Sequence, residues 1–600
     1  MKMARDLGVS TMSQPALSSC TANRRGWKPL IVPAATLVAV LGIVLATYWP
    51  ALSAGALYMD DKFYIGAPLI QHPSWAAIRT IFGEVLSPSL VNGYYQPLSL
   101  LSMMLDFLDP TAASSLMPFH RTTLVLHLLN VALVVVLLYT LFGNWVTAAL
   151  LGLLYGLHPV NADAVLWIAE RKTVLSTCFA LSSLLVYVSY TRQINPAGRG
   201  DWRRYGASLL LYVCALLSKP TALPVVALLL ILDYWPLKRL GWGTLLEKLP
   251  FLTVGIIAAG VAVVSQARAG QEGTTQFMKL AYLPLVLGYC TSFYLLKTIW
   301  PAGLVSDYPG PHPFGLANPD VLVSLVGSAV VLAAIVLSAR HTRAWVAGGL
   351  FFLVTILPTI GLIRYTSSVA ANRSMYLPMV GVLLPLTWIL NRFWNRGVGA
   401  KRMSIVRAVV VVVVATLATG NAWATRKYES HWHDSVTLLQ YYLTQTPNEW
   451  KLHTRLGNEW IQRGEYPSAI VEFSEAVRLN PRWTENQLNL GRALFTVGQY
   501  TEAKHAIAMA LGQTPKDWRA HMLMGTTLTR QNDLDGALEE FRTAAALAPR
   551  MAVARYNIGN ILAQLGKVDE AVEEYQQTLR LDPKYAAAQR ALDTIADRRP

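Results

Sequence analysis

Long apolar runs fill most of residues 29–423 in this 600-residue chain and restrict what that part can fold into. No water is available inside lipid to bind free backbone groups, so only helices and closed barrels cross a membrane. Runs of about 20 apolar residues are typical of transmembrane helices. Only 14% of the chain is charged, against about 25% in soluble domains. We therefore predict an all-α fold that begins with a polytopic membrane domain over 29–423.

The start of the chain has two interpretations. A basic leader, residues 1–28, precedes the first apolar run, 29–49. The small residues Ala54-Gly55-Ala56 resemble a signal-peptide cleavage site, so removal of this segment is one alternative. The run is nevertheless long enough to cross a bilayer. We favour an uncleaved anchor with a cytoplasmic leader.

Positive charge in short connectors sets the predicted orientation. The basic connectors at 192–204, 340–343 and 392–407 are expected to stay in the cytoplasm. The sequence has twelve apolar runs, but twelve separate crossings would not leave all of these connectors in the cytoplasm. Either 205–235 is therefore one broken span, or 282–300 lies in the interface. Both solutions give about 11 spans and place the first outer loop, about 50–120, on the same non-cytoplasmic side as the C-terminal part. We expect a multi-pass membrane protein, and we assign its net charge of +16 to topology and not to nucleic-acid binding.

A 34-residue period organises the C-terminal part, whose composition becomes that of a soluble domain near residue 424. The periodic residues are Pro447, Pro481, Pro515, Pro549 and Pro583; Gly457, Gly491, Gly525 and Gly559; Ala469, Ala503, Ala537 and Ala571; and Phe473, Ile507, Phe541 and Tyr575. This is the period of tetratricopeptide repeats. We predict a linker and half repeat over 424–449, four repeats over 450–585 and a capping helix over 586–600. Stacked helix pairs form a concave surface suited to peptides or partner proteins.

Two adjacent acids, Asp60 and Asp61, follow the first span. Such a pair could supply a general base or bind a cation. A solvated loop pair or a helix N-cap is the alternative interpretation. No pattern in the sequence indicates a metal site, and none of the four cysteines has CxxC spacing.

Basic and polar residues beside the other apolar runs are further candidates, because charge near a membrane core is costly and tends to be functional. They are Gln96, His120, His158, Glu170, Arg171, Lys172, Lys219, Arg364 and Arg373. Arginine and lysine suit a phosphate group. The alternatives are mutual salt bridges, an interfacial helix around Gln96 and His120, snorkelling of Lys219 and a basic topological loop.

An ordered set of short motifs runs through the membrane part. The motifs are Asp60-Asp61, Gln96-Pro97-Leu98, Phe119-His120, His158-Pro159-Val160 through Glu170-Arg171-Lys172, Leu232-Asp233-Tyr234-Trp235-Pro236-Leu237, Tyr308-Pro309 with Pro311-His312-Pro313, and Tyr376-Leu377-Pro378. With the repeats, this set resembles the transmembrane and tetratricopeptide-repeat family of protein O-mannosyltransferases and their bacterial relatives. Two positions depart from that family: Gln96 replaces a frequent arginine, and Asn372 replaces an acid before Arg373.

The resemblance implies a GT-C glycosyltransferase fold and a polyprenyl-phosphate-linked sugar, mannose or another hexose, as donor. It places the catalytic acid in the first outer loop, at Asp60 or Asp61. Hydroxyl groups of extracytoplasmic proteins are the implied acceptors, recruited by the repeats, and a divalent metal is left open. The residues that would stabilise the leaving phosphate are Arg171, Lys172, Lys219 and Arg373, supported by Gln96, His120, His158, Glu170 and Arg364.

Two other classes of function remain as alternatives. A non-enzymatic scaffold would use the spans as an anchor and the repeats to assemble partner proteins. A transporter or lipid-linked-oligosaccharide flippase would be favoured by inverted repeats among the spans, which are not visible in the sequence.

Overall fold

The computed structural model describes residues 28–83, 95–193, 200–268, 276–277, 282–360, 363–364, 368–394 and 400–597. Four short strands interrupt the helices of this described part: β1 Gln276–Phe277, β2 Tyr308–Pro309, β3 Ile363–Arg364 and β4 Ser368–Ala370. Strand β1 pairs with β3, and β2 pairs with β4, both antiparallel. The predicted helical fold is confirmed.

Eighteen helices precede the repeats in the described residues. They are α1 Lys28–Tyr48, α2 Asp61–Gly66, α3 Pro68–Gln71, α4 Trp75–Gly83, α5 Pro97–Asp106, α6 Met117–Phe142, α7 Trp145–Leu157, α8 Ala162–Leu166, α9 Arg171–Thr191, α10 Trp202–Ser218, α11 Val225–Tyr234, α12 Trp242–Leu246, α13 Leu249–Arg268, α14 Leu283–Ile299, α15 Pro319–Ser338, α16 Ala344–Ile356, α17 Pro378–Trp394 and α18 Ala400–Glu429. Short 3-10 turns lie between several of them.

Six segments of the described chain are long and apolar enough to cross a membrane: Val32–Ser53, Met117–Phe142, Ile168–Thr191, Trp242–Ser265, Pro319–Ser338 and Met403–His433. The pair Trp145–Leu157 and Pro159–Leu166, bent by 54°, adds a seventh if it forms one span. Shorter apolar helices, such as Leu283–Ile299 and Ala344–Thr359, accompany them. The chain is therefore a membrane protein, and the count of about 11 spans stays a prediction.

Helix α9 lies at the centre of the membrane part. It packs against α6, α10 and α11, and its first turn also contacts the 3-10 turn Ile168–Glu170. Most of its side chains are buried, polar ones included. Because a buried polar group needs a partner, the N-terminal end of α9 is where charged side chains from other segments are brought together.

The repeat part consists of paired antiparallel helices. They are α19 Ser435–Gln445, α20 Trp450–Gln462, α21 Tyr466–Leu479, α22 Thr484–Thr496, α23 Tyr500–Gln513, α24 Trp518–Arg530, α25 Leu534–Leu547, α26 Ala552–Gln564, α27 Val568–Leu581 and α28 Ala586–Ala596. Helix α18 continues past residue 424, so the compositional boundary falls inside a helix. Trp432, Tyr442 and Leu456 belong to the same apolar core as the membrane helices.

The repeat glycines allow the two helices of a pair to approach closely. A Cβ atom added at Gly525 would lie 2.8 Å from the ring of Phe541, whereas one added at Gly512 would meet nothing within 4 Å. We expect Gly525→Val to destabilise the repeat part by about 1–3 kcal/mol through overpacking. The matched change Gly512→Val should be neutral, since valine has a somewhat higher helix propensity than glycine. Hydrogen exchange of the α24 and α25 amides in the full chain measures both effects, and equal protection in the two variants would contradict the prediction.

Candidate functional site

The buried carboxylate of Glu170 lies close to three cations at the N-terminal end of α9. Its side chain is 2% exposed and lies 3.1 Å from the Nζ of Lys219, 3.5 Å from the Nζ of Lys172 and 3.3 Å from the Nε of Arg373. The hydroxyl of Thr173 also donates to it. A buried charge is costly unless it is paired. The pairing explains why cations from three separate segments meet at one point.

Arg373 is held by an acid that the sequence reasoning missed. Its Nη2 lies 2.9 Å from the Oδ1 of Asp307, its Nη1 donates to the Ser306 carbonyl at 3.0 Å, and its Cζ lies 4.9 Å from the centroid of the Trp167 ring. The position of Asp307, directly before the Tyr308-Pro309 motif, was the available signal. An acid therefore does accompany Arg373, but from another segment of the chain.

Asn372 supports the loop that carries Asp307. Its side chain accepts a hydrogen bond from the Tyr308 hydroxyl at 2.8 Å and donates to the Val305 carbonyl at 2.8 Å. An amide can both accept and donate, whereas an ionised carboxylate only accepts. Asparagine thus matches its two partners at this position.

The two adjacent acids have different environments. Asp61 is fully buried, and its carboxylate accepts the backbone N–H groups of Tyr58 at 2.9 Å and Ala169 at 2.7 Å. Burial raises the pKa of Asp61 to about 7, although the two hydrogen bonds oppose this shift. Asp61 therefore ties the outer loop to the segment that leads into α9.

Asp60 is the more exposed of the two adjacent acids. Its side chain is 39% exposed, and its Oδ2 lies 3.8 Å from the Nζ of Lys172. Because Lys172 also contacts Glu170, one lysine connects the open carboxylate to the cation cluster. The arrangement places a proton acceptor next to a group of cations that could hold an anion.

Gln96 lies beside this cluster, whereas His158 contacts the end of α14. Gln96 donates to the hydroxyl of Tyr64, whose ring centroid lies 5.7 Å from the Nζ of Lys172. A ring nitrogen of His158 lies 2.9 Å from the Thr298 carbonyl and thereby fixes the loop after α7 to the end of α14.

The structure does not bring His120 into the cluster. His120 is buried in α6. The backbone of Arg364 lies in β3, and its side chain is outside the described residues.

Arg171 also lies apart from the other predicted phosphate-binding residues. Its side chain is fully buried in an ion pair with Asp106 and donates to the Ser102 and Phe119 carbonyls at 3.1 and 2.6 Å and to the Thr123 hydroxyl at 3.2 Å. Consecutive helical residues point about 100° apart, so Arg171 and Lys172 face different neighbours. Arg171 joins α9 to α5 and α6 and does not contact the cluster.

Among the described residues, no group of three His, Cys, Asp or Glu side chains could hold a metal ion. The site thus consists of the half-exposed carboxylate of Asp60, the buried carboxylate of Glu170, the carboxylate of Asp307 and three cations. Together with the apolar helices and the paired C-terminal helices, it defines a membrane protein with a polar site at the base of a repeat domain.

Comparison with known proteins identifies its relatives. A family model described as tetratricopeptide repeat matches residues 488–552 and 522–586. Human protein O-mannosyl-transferase TMTC3 is 23% identical over 519 residues, which is 80% of this chain and 55% of that protein. Human protein O-mannosyl-transferase TMTC1 is 24% identical, over 77% of this chain and 57% of that protein. The chain is a homologue of these proteins, as its motifs predict, and spans just over half of their length.

Part of the chain is also similar to a solved structure. The crystal structure of YrrB, described as a TPR protein with an unusual peptide-binding site, is 21% identical. It covers 29% of this chain and 88% of its own, with a TM-score of 0.25.

The buried pair of Arg171 and Asp106 should stabilise the fold far more than an exposed pair does. We expect Arg171→Met to cost about 3–5 kcal/mol, because it leaves the buried carboxylate of Asp106 without its cation. The matched change Arg121→Met removes a half-exposed partner of Asp109 and should cost at most about 1 kcal/mol. Thermal unfolding in detergent compares the two. Equal melting temperatures of the two variants would contradict this prediction.

Proposed function

We propose that this protein is a membrane glycosyltransferase that moves a sugar, mannose or another hexose, from a polyprenyl-phosphate donor to hydroxyl groups of extracytoplasmic proteins. The observation that carries the proposal is the half-exposed carboxylate of Asp60, which Lys172 links to the cation cluster. The names of the relatives support the reaction class. The GT-C type, the lipid-linked donor and the bacterial inner membrane are parts of this proposal.

The chemistry follows from the charges. Asp60 accepts the proton of the acceptor hydroxyl while the oxygen attacks the anomeric carbon. The bond from that carbon to the phosphate oxygen breaks, and the polyprenyl phosphate leaves with the electron pair. A single displacement inverts the configuration at the anomeric carbon. Asp61, whose oxygens bind two backbone amides, shapes the loop that carries Asp60.

The cation cluster supplies the anion site. Lys172, Lys219 and Arg373 are held close together by Glu170 before any donor binds. Hydrogen-bond donors that already point at a developing negative charge need no rearrangement during the reaction. The phosphate would share these cations with the carboxylates that now neutralise them. Arg171 is not part of this proposed anion site, because its contacts are with α5 and α6.

The repeats are proposed to bring the protein acceptor to the site. The Nζ of Lys62, two residues after Asp60, lies 2.7 Å from Glu459 in α20. The outer loop and the first repeat are therefore in contact, which supports a shared extracytoplasmic side. A concave array of helix pairs is a common surface for binding extended peptides.

Asp60→Asn tests the proposed base. We expect it to lower sugar transfer about 10²- to 10⁴-fold, the usual contribution of a general base, with the fold intact because the side chain is partly exposed. Asp61→Asn, the matched change at the buried acid, should lower thermal stability by disturbing the loop. The measurement is transfer from a lipid-phosphate sugar to a Ser/Thr peptide by purified full-length protein. Full activity of Asp60→Asn would remove the proposed base.

Lys219→Met tests the anion site. Loss of one hydrogen bond to a charged group costs about 1.5–3 kcal/mol, so kcat/KM for the lipid-phosphate donor should fall about 10- to 100-fold. Lys504→Met, a change at an exposed lysine in α23, serves as the control and should leave donor kinetics unchanged. Equal kcat/KM in the two variants would place the phosphate elsewhere.

A membrane-anchored scaffold is the second candidate function. It is favoured by one observation: the cations of the cluster are already paired with Glu170, Asp60 and Asp307. The scaffold predicts that partner proteins bind the repeats and that purified protein transfers no sugar. Mass spectrometry of extracytoplasmic proteins with and without this gene separates the two functions, because only the enzyme predicts loss of hexose on Ser or Thr.

A further inference from the structure

The turn that carries Asp60 has an unfavourable backbone conformation. Met59 has a φ of +47°. This value lies in the left-handed region, which residues other than glycine, asparagine and aspartate rarely adopt. Such conformations persist only where the surroundings fix them. The neighbouring residues, Tyr58 and Asp61, must therefore be held firmly for Asp60 to keep its direction.

Tyr58 is held by residues of the membrane part and by residues at the start of the repeat part. It is buried, its N–H is bound by Asp61, and its carbonyl accepts the indole N–H of Trp167 at 3.0 Å. Its ring makes edge contacts with Trp167 at 5.0 Å, with Trp432 at 6.4 Å and with Tyr442 at 5.6 Å between centroids. Trp432 follows α18, and Tyr442 lies in α19. The start of the repeat part thus forms half of the pocket around Tyr58.

Arg455 of helix α20 completes this pocket. Its Nη1 donates to the Tyr58 hydroxyl at 3.0 Å, and its Cζ lies 5.2 Å from the centroid of the Tyr58 ring. The two residues are 397 positions apart in the chain. Several other arginines of the repeats have acidic partners, such as Arg478 with Glu475. In the described part of the chain, Arg455 is in no ion pair, so its contact with Tyr58 is the main polar interaction of its guanidinium.

We propose that Arg455 is a positioning residue for Asp60, so that the first repeat completes the active site as well as offering a surface to acceptors. Arg455 fixes the hydroxyl and ring of Tyr58. Tyr58 and Asp61 together fix the turn at Met59, and the turn directs Asp60 toward Lys172. This inference rests on the proposed function, because a position for Asp60 matters only if that carboxylate acts on a substrate.

The test uses purified full-length protein, a polyprenyl-phosphate sugar and a Ser/Thr peptide. A misplacement of order 1 Å at a reacting group can cost about 100-fold in rate, so we expect kcat to fall about 10- to 100-fold in Arg455→Met while KM for the donor stays the same. Arg455→Lys, which keeps the charge over the ring, should recover part of the rate. Arg478→Met, an exposed arginine of the next helix, should match the wild type.

Tyr58→Phe provides a second variant that keeps the ring and removes only the hydroxyl. It should lower kcat as well, and the double variant with Arg455→Met should be no slower than the slower single variant, because the two residues act through one contact. Wild-type kcat in both Arg455→Met and Tyr58→Phe would overturn the inference. So would a change in peptide KM alone, which would make Arg455 an acceptor contact. A wild-type protein that transfers no sugar would instead reject the proposed function.

Discussion

The burial of Glu170 is the constraint on which the arrangement of the site depends. An ionised carboxylate deep in a helical bundle is stable only with close positive partners, and Glu170 has Lys172, Lys219 and Arg373 within 3.5 Å. These three cations come from the start of α9, the end of α10 and the loop before α17. Packing one acid therefore fixes three distant segments and leaves a concentrated positive group beside the outer loop.

The second constraint is that the repeat part packs against the membrane part. Helix α18 continues into it, Trp432 and Tyr442 join the apolar core of the membrane part, and the hydroxyl of Tyr442 lies 2.6 Å from that of Ser306. Since the carbonyl of Ser306 binds Arg373, helix α19 is connected to the cation cluster. A rigid connection of this kind suits the proposed function, in which the acceptor must meet a membrane-embedded donor at a fixed place.

The repeats were predictable because their signal is local: a 34-residue period of glycine, alanine and proline specifies helix pairs without knowledge of the rest of the chain. The helical class of the membrane part followed from apolar length. The grouping of Glu170, Lys172 and Lys219 was expected only as one of several interpretations. Arg171 was grouped with Lys172 by adjacency, although neighbours on a helix point about 100° apart.

Contacts between remote segments could not be predicted from the sequence, although Asp307 lies directly before a motif. Asp307 meets Arg373 across 66 residues and Arg455 meets Tyr58 across 397, and both pairings depend on how whole helices pack. The different environments of Asp60 and Asp61 also depend on packing, because burial of Asp61 requires the backbone amide of Ala169. The order of the motifs was enough to identify the relatives. It could not show which of the two adjacent acids is exposed.

The central claim is that the outer loop bearing Asp60 and the first repeat helix lie against each other on one side of the membrane. Cross-linking of a Lys62→Cys, Glu459→Cys variant in sealed membrane vesicles tests it most directly, since the two native side chains form an ion pair at 2.7 Å. The account predicts efficient joining by a short thiol cross-linker, with both cysteines labelled from the same side by a membrane-impermeant reagent. Labelling of the two cysteines from opposite sides, without cross-linking, would contradict it.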